Sequence, residues 1–197
     1  NSVTVGKLTP EGVPVSQFGT SGRTTTANLY GPTFALQNDT KIVLAGFSNS
    51  NGRSAIVVQR FLADGSVDTT FGNKGTFELP EFPGKNFFST EVFMVVNDVS
   101  ERIHLAFNVM NNAGNNTNFY FVTLRFNGTL DTDWGLSAGR EVVPRVGAAS
   151  AYSTLTQLKL LSDGSLLGIG SAFSTYTRQI VLTKINVNGY LDANFDG

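Results

Sequence analysis

The stretch ADGSVDTTFG, running from Ala63 to Gly72, decides the fold because near copies of it recur along the chain. They end in Phe18-Gly19 (GVPVSQFG), in Trp134-Gly135 (GTLDTDWG) and around Phe195 (GYLDANFDG). The aromatic thus returns at 18, 71, 134 and 195, at spacings of 53, 63 and 61 residues. A loop serving a single active site has no reason to recur at that interval, whereas a repeated supersecondary unit requires it.

Outward from each copy the pattern is β. Preceding it are VTVGKL, AIVVQRF, FYFVTLRF and QIVLTKI, alternating or continuous runs of β-branched and aromatic residues that suit partly or fully buried strands. Further upstream, ALQNDTKIVLAG, VFMVVNDVSERIHLAF and LKLLSDGSLLGIG each read as two short strands about a polar turn, at Asn38-Asp39, Asn97-Asp98 or Asp163-Gly164. After each corner another glycine opens a short strand, in GRTTT, GTFELP and GREVVP, and Pro80 and Pro144 stop two of these by withholding an amide donor. No window carries a helical period, so the fold class is all-β. Four short antiparallel strands per unit is the pattern of a propeller blade.

Starting each unit at the strand after the corner gives a single repeat domain over 1–197, with a partial unit at 1–22 and blades at about 23–75, 76–139 and 140–197. The expectation is a β-propeller-like array of about three four-stranded antiparallel blades with an extra N-terminal strand. Ring propellers have about four to eight blades. The chain therefore reads as an excised or processed piece, or as one whose subunits complete one another. Unpaired backbone on the extra strand points to a homo-oligomer, trimer or dimer.

Within the repeated stretch, Gly65, Gly128 and Gly189 supply the positive φ of a tight turn, and Gly72 and Gly135 follow the aromatic at the corner. Asp68, Asp131 and Asp192 stand where an Asx-type turn takes a carboxylate, and Phe71, Trp134 and Phe195 are placed to plug the gap between neighbouring blades. A calcium loop built from Asp64 and Asp68, or from Asp131 and Asp133, is the alternative. Val15 stands at the aspartate position of the first copy, and no loop offers the roughly six oxygens that calcium takes.

ALQNDTKIVLAG followed by VVQRFLADGSVDTTFGNKG resembles the delta-60 repeat family of bacterial, largely secreted or surface proteins. The resemblance is strongest over 34–80, clear over 155–197, weaker over 92–143, and confined to the second half of the unit over 1–29. Val15 for Asp, Trp134 for Phe and Asp196 before the last glycine depart from the pattern. The resemblance implies a β-propeller-like array at a surface location and no catalytic residues.

Composition narrows the chemistry. Apolar residues make up 41% of the chain and charged residues 15%, with a net charge of -1. That is too apolar for disorder, and it lacks the electrostatic footprint of a nucleic-acid or anionic-membrane partner. No apolar run approaches the roughly 18 residues of a membrane-spanning helix, which argues against membrane insertion. Without cysteine there is no disulfide, thiolate zinc site or cysteine nucleophile. His104, the only histidine, lies in a strand, a poor basis for a metal site or a serine triad. Phosphate-cradling glycine spacings are missing as well. The chain reads as non-enzymatic and without a cofactor.

The hairpin loops SNSNGRS, NVMNNAGNNTN and SAFSTYTR occupy one place in every unit and should share a face. Asn51, Arg53, Asn112, Phe173, Tyr176 and Arg178 are the candidate ligand-binding residues there. Amides and hydroxyls beside aromatic platforms suit neutral polyols such as glycans, although Asn, Ser and Gly make good loops in any case. The expected function is an extracellular recognition or adhesion module at a bacterial surface, whose partner is a glycan or a cell-surface protein. The alternatives are a structural spacer or assembly segment of a larger surface protein and, further off, a glycoside hydrolase using paired carboxylates.

Overall fold

A computed structural model describes residues 2–27, 29–50, 53–80, 85–111, 117–135, 140–142, 152–173 and 177–195. These residues form thirteen strands and no helix. β1 (Ser2–Gly6) and β2 (Arg23–Ala27) are an antiparallel pair. β3 (Tyr30–Leu36), β4 (Ile42–Ser50), β5 (Arg53–Phe61) and β6 (Thr76–Pro80) make a four-stranded antiparallel sheet in sequence order. The same order returns in β7 (Lys85–Asn97), β8 (Arg102–Asn111), β9 (Thr117–Arg125) and β10 (Arg140–Val142). Its first three members return in β11 (Tyr152–Leu160), β12 (Leu166–Phe173) and β13 (Arg178–Ile185). One parallel pair, Tyr152 with Thr117, joins these last two groups into a seven-stranded sheet.

The pairing moves the unit boundaries away from those expected. Each strand after a corner folds back on the strand before it: β2 on β1, β6 on β5, β10 on β9. The corner is the reason. Bridges from Gly72 and Asn73 to Thr76 reverse the chain within a few residues, so the nearest open edge is the strand just left. The units accordingly span 30–80, 85–142 and 152–185, not blades beginning at 23, 76 and 140. The extra N-terminal strand pairs along one edge with β2, so it is not the lone strand expected. The last unit shows three strands instead of four, and no sheet closes into a ring among the described residues.

Successive units share cores, and strand alternation explains how. Neighbouring residues of a strand point to opposite faces. In β4, Ile42 and Leu44 join Val3, Val5 and Phe18 in one core, while Val43, Ala45 and Phe47 join Ile103, Leu105 and Phe107 in the next. A third core combines Phe119 and Phe121 with Leu155, Leu166 and Val181. The middle unit is therefore covered on both sides. β9 is buried almost throughout, whereas β13 alternates between exposed and buried.

The ladders also run further out than the polar sequences suggest. Asn49 pairs with Ser54 and Ser50 with Arg53, so these residues of the first expected loop belong to the ladder. In the second, β8 and β9 stay paired out to Met110 and Thr117. A ladder needs only backbone donors and acceptors, which Asn and Ser provide as well as Val does. Asn108, grouped with the loop on sequence, is buried in β8. Its Oδ1 accepts the Leu155 N–H at 2.7 Å and its Nδ2 donates to the Leu155 carbonyl at 3.3 Å, a side-chain copy of a backbone pair between two units.

Candidate functional site

The copies of the opening stretch meet one another. Gly19 N–H donates to the Asp64 carbonyl at 2.6 Å, Gly72 N–H to Asn127 at 2.8 Å, and Gly135 N–H to Asn188 at 2.8 Å. In each case the donor belongs to the corner of one unit and the acceptor to the turn of the next. The glycine following each acceptor lies against the preceding unit's aromatic. A β-carbon added at Gly65 would stand 2.9 Å from the Phe18 ring, at Gly128 2.9 Å from Phe71, and at Gly189 2.7 Å from Trp134. Those aromatics are at most 1% exposed. The stretch thus serves two joints: its turn closes the joint with the unit before, and its corner closes the joint with the unit after.

Each corner aspartate is met by a cation. Asp68 Oδ1 accepts the Thr70 N–H at 3.1 Å and the Thr70 hydroxyl at 2.6 Å, and its Oδ2 accepts Arg60 Nε–H at 2.9 Å. Arg60, itself buried, donates through Nη1 to the Phe126 carbonyl of the next unit and lies over the Phe71 ring at 4.8 Å. Burial alone would raise the Asp68 carboxyl, but the Thr70 bonds and the Arg60 charge outweigh it and hold it below the ordinary carboxylate value. Burial would likewise raise Asp131, but the Arg102 bond, the Asp133 amide and the Arg102 and Arg125 charges outweigh it and hold the carboxyl low.

Sequence reading missed these cations. The Asp68, Asp131 and Asp192 amides donate to the carbonyls of Arg60, Thr123 and Lys184, which are therefore equivalent positions. Lys184 reaches Asp192 at 3.2 Å as Arg60 reaches Asp68, so a basic residue eight positions upstream was an available signal in two units. In the middle unit that position is Thr123, and Arg102 from the neighbouring strand takes over at 2.7 Å, with Arg125 at 3.1 Å. Only the strand register, which pairs Arg102 with Arg125, reveals the exchange. Of the carboxylates in the calcium alternative, Asp68, Asp131 and Asp133 are in ion pairs, and Asp64 accepts the Ser66 amide and hydroxyl. Among the described residues, no group of three or more His, Cys, Asp or Glu side chains is placed to hold a metal.

His104 lines a cleft of about 440 Å³ between the second and third units, together with Asn97, Arg102, Leu160, Asp163 and Val187. Its Nδ1 lies 2.8 Å from Thr123 Oγ1, its ring 5.3 Å from that of Trp134, and its buried Nε2 has no partner among the described residues. Burial, assisted by the Arg102 charge, pushes its pKa down to about 3. An unfolded histidine titrates near 6.5. The unfolded state therefore takes up the proton first, so stability is complete above about pH 6.5 and declines as pH falls towards 3. The expected loss between pH 6.5 and 5 is about 2 kcal/mol. Val43 pairs with Arg60 as His104 pairs with Thr123, so His104→Val installs the equivalent residue of the first unit. Urea denaturation at the two pH values should show the loss in wild type and not in His104→Val; equal losses would contradict the assignment.

At the hairpin end, Phe173 and Arg178 are cross-strand partners, both exposed, with the guanidinium carbon 4.8 Å from the ring centroid. Arg53 opens β5 as Arg178 opens β13 and pairs by its backbone with Ser50; its side chain lies outside the described set. Asn51, Asn112 and Tyr176 lie outside the described residues altogether. The structure thus brings two of the six candidates together.

No curated protein matches the chain. Residues 37–71, which run from the β3–β4 turn through β4 and β5 to the corner aromatic, match a family model described as a domain of unknown function (DUF5122) beta-propeller. With the all-β fold and its stacked antiparallel units, that match supports a β-propeller repeat family for this chain.

Proposed function

We propose that the chain is a non-enzymatic recognition module of the delta-60 repeat kind, its three units acting as successive propeller-type blades and its hairpin end binding a glycan at a bacterial cell surface. The Phe173–Arg178 pair carries this reading. A guanidinium held over an exposed ring keeps N–H donors free for the hydroxyl and carboxylate oxygens of a sugar. The buried acids Asp68 and Asp131 are engaged in ion pairs that hold the corners, which favours a structural use over proton transfer. Binding of wild type, Phe173→Ala and Arg178→Ala to a glycan array tests the reading. Each variant is expected to keep its fold and to lose about tenfold in affinity, the effect of removing a modest anchor. Wild type that binds no glycan would remove the proposal and leave either a cell-surface protein as the recognition target or the spacer and assembly role.

A further inference from the structure

We propose that the cleft between the second and third units is a guanidinium site, which takes the side chain of an arginine or another alkylguanidine where the first joint carries an arginine of its own. The strand registers make the two joints directly comparable. Arg60 and Thr123 are equivalent, and so are Val43 and His104, which pair with them. By the same registers Leu36 corresponds to Val96 and Leu160, so Gln37, Asn97 and Leu161 begin equivalent turns. In the unit that follows each joint, Phe126 corresponds to Val187, each two residues before the glycine of its turn.

At the first joint Arg60 makes three kinds of contact. Its Nε–H donates to Asp68, its guanidinium carbon lies 4.8 Å from the Phe71 ring centroid, and its Nη1 donates to the Phe126 carbonyl across the joint and to Gln37 Oε1 at 3.5 Å. The two turns are also tied directly, the Asn38 N–H donating to Asp98 Oδ1 at 2.9 Å. At the second joint Thr123 is too short for any of these contacts. Arg102 replaces Arg60 at the carboxylate, and His104 replaces it against the corner aromatic. The bridge itself has no replacement: among the described residues the Val187 carbonyl receives no hydrogen bond. Ser162, standing where Asp98 stands, offers no carboxylate to the facing turn.

The space left by that bridge is the cleft. Asn97 and Val187 line it, and so does His104, which is 2% exposed and whose Nε2 has no partner among the described residues. The joint is interior, with a described unit on each side.

The lining suits a guanidinium. With the His104 Nδ1–H donating to Thr123 Oγ1, the neutral ring presents Nε2 as an acceptor, a tautomer that a donor in the cleft selects. Around the cleft four carboxylates, Asp131, Asp133, Asp163 and Asp192, share three cations, Arg102, Arg125 and Lys184, which leaves room for one more positive charge. Leu160, Leu161 and Val187 give an apolar wall for an alkyl stem. A guanidinium is weakly hydrated and tolerates such a wall, whereas a compact, strongly hydrated ammonium does not.

The chain has one tryptophan, Trp134, and one histidine, His104, so indole fluorescence and the imidazole nitrogen resonances both report on this cleft. Wild type is titrated with methylguanidinium, with a Gly-Arg-Gly amide and with a Gly-Lys-Gly amide. Both guanidines are expected to bind saturably with Kd of about millimolar, and the lysine peptide at least about tenfold more weakly. An arginine peptide about tenfold tighter than methylguanidinium assigns the site to a peptide side chain; equal affinities assign it to a free alkylguanidine. Thr123→Arg, which supplies the missing side chain from within, should abolish binding. His104→Val, which installs the residue of the first joint, should weaken it about tenfold and serves if Thr123→Arg does not fold. No saturable response to either guanidine, equal binding of the lysine peptide, or folded variants that bind like wild type would each overturn the assignment.

Discussion

Gly128→Ala lowers the free energy of unfolding by about 3 to 5 kcal/mol, whereas Gly12→Ala lowers it by about 1 kcal/mol. Both glycines hold nearly the same backbone, with φ of +81° and +84°, so the strain of placing an L side chain there is common to the two. What separates them is contact. A β-carbon at Gly128 would press on the Gly72 amide and stand 2.9 Å from the Phe71 ring, forcing the second unit away from the first. That overpacks a filled site and weakens the hydrogen bond from Gly72 N–H to the Asn127 carbonyl. Nothing opposes a β-carbon at Gly12. Urea denaturation of the two variants measures the difference directly, and equal losses would mean that the glycines serve their turns alone.

Asp68→Ala is expected to cost about 3 to 5 kcal/mol, because it strands the buried Arg60 charge rather than removing a pair. Arg60→Met combined with Asp68→Ala should recover part of that loss, since a buried ion pair is often replaceable by apolar packing. Recovery stays incomplete because Arg60 also donates to the Phe126 carbonyl across the joint. The same residue carries an acid limb. With its folded pKa held below the unfolded value, Asp68 contributes stability that is complete above about pH 4 and is lost as pH falls through the folded value. Asp68→Asn should flatten that limb. Asp192→Ala should cost much less, since its partner Lys184 is more exposed and more weakly placed. Comparable losses at 68 and 192 would show that the corner turn, rather than the buried charge, is what the aspartate supplies.

The strands and their polar turns were legible because each is a local matter. β-Branched runs such as AIVVQRF need no distant partner to be recognised, and Asn38-Asp39 marks its own turn. The direction of pairing was not legible, because GTFELP reads equally well as the first strand of one unit or the last of another until the corner geometry is seen. Nor was the division of labour within ADGSVDTTFG. The stretch looks like one motif, yet Gly65 rests on Phe18 while Phe71 receives Gly128, and partners that far apart leave no local trace. Among the candidate ligand residues, composition placed Arg178 and Phe173 near one another but gave no register that would set one upon the other. His104 was visible only as a strand residue; its burial against Thr123 and Trp134 depends on the strand register and the corner, which no local pattern records.

The account rests on the repeated stretch being a joint between units, and amide hydrogen exchange at Gly19, Gly72 and Gly135 tests it most directly. A corner glycine that belongs only to its own loop exposes its N–H to water and exchanges at the rate of a local opening. One that donates to the next unit can exchange only when the units separate. The account predicts that all three amides are protected to nearly the level of core amides in β4, β8 and β9, and that protection at Gly72 collapses in Gly128→Ala. Exchange of the three glycines at the rate of exposed loop amides would contradict it.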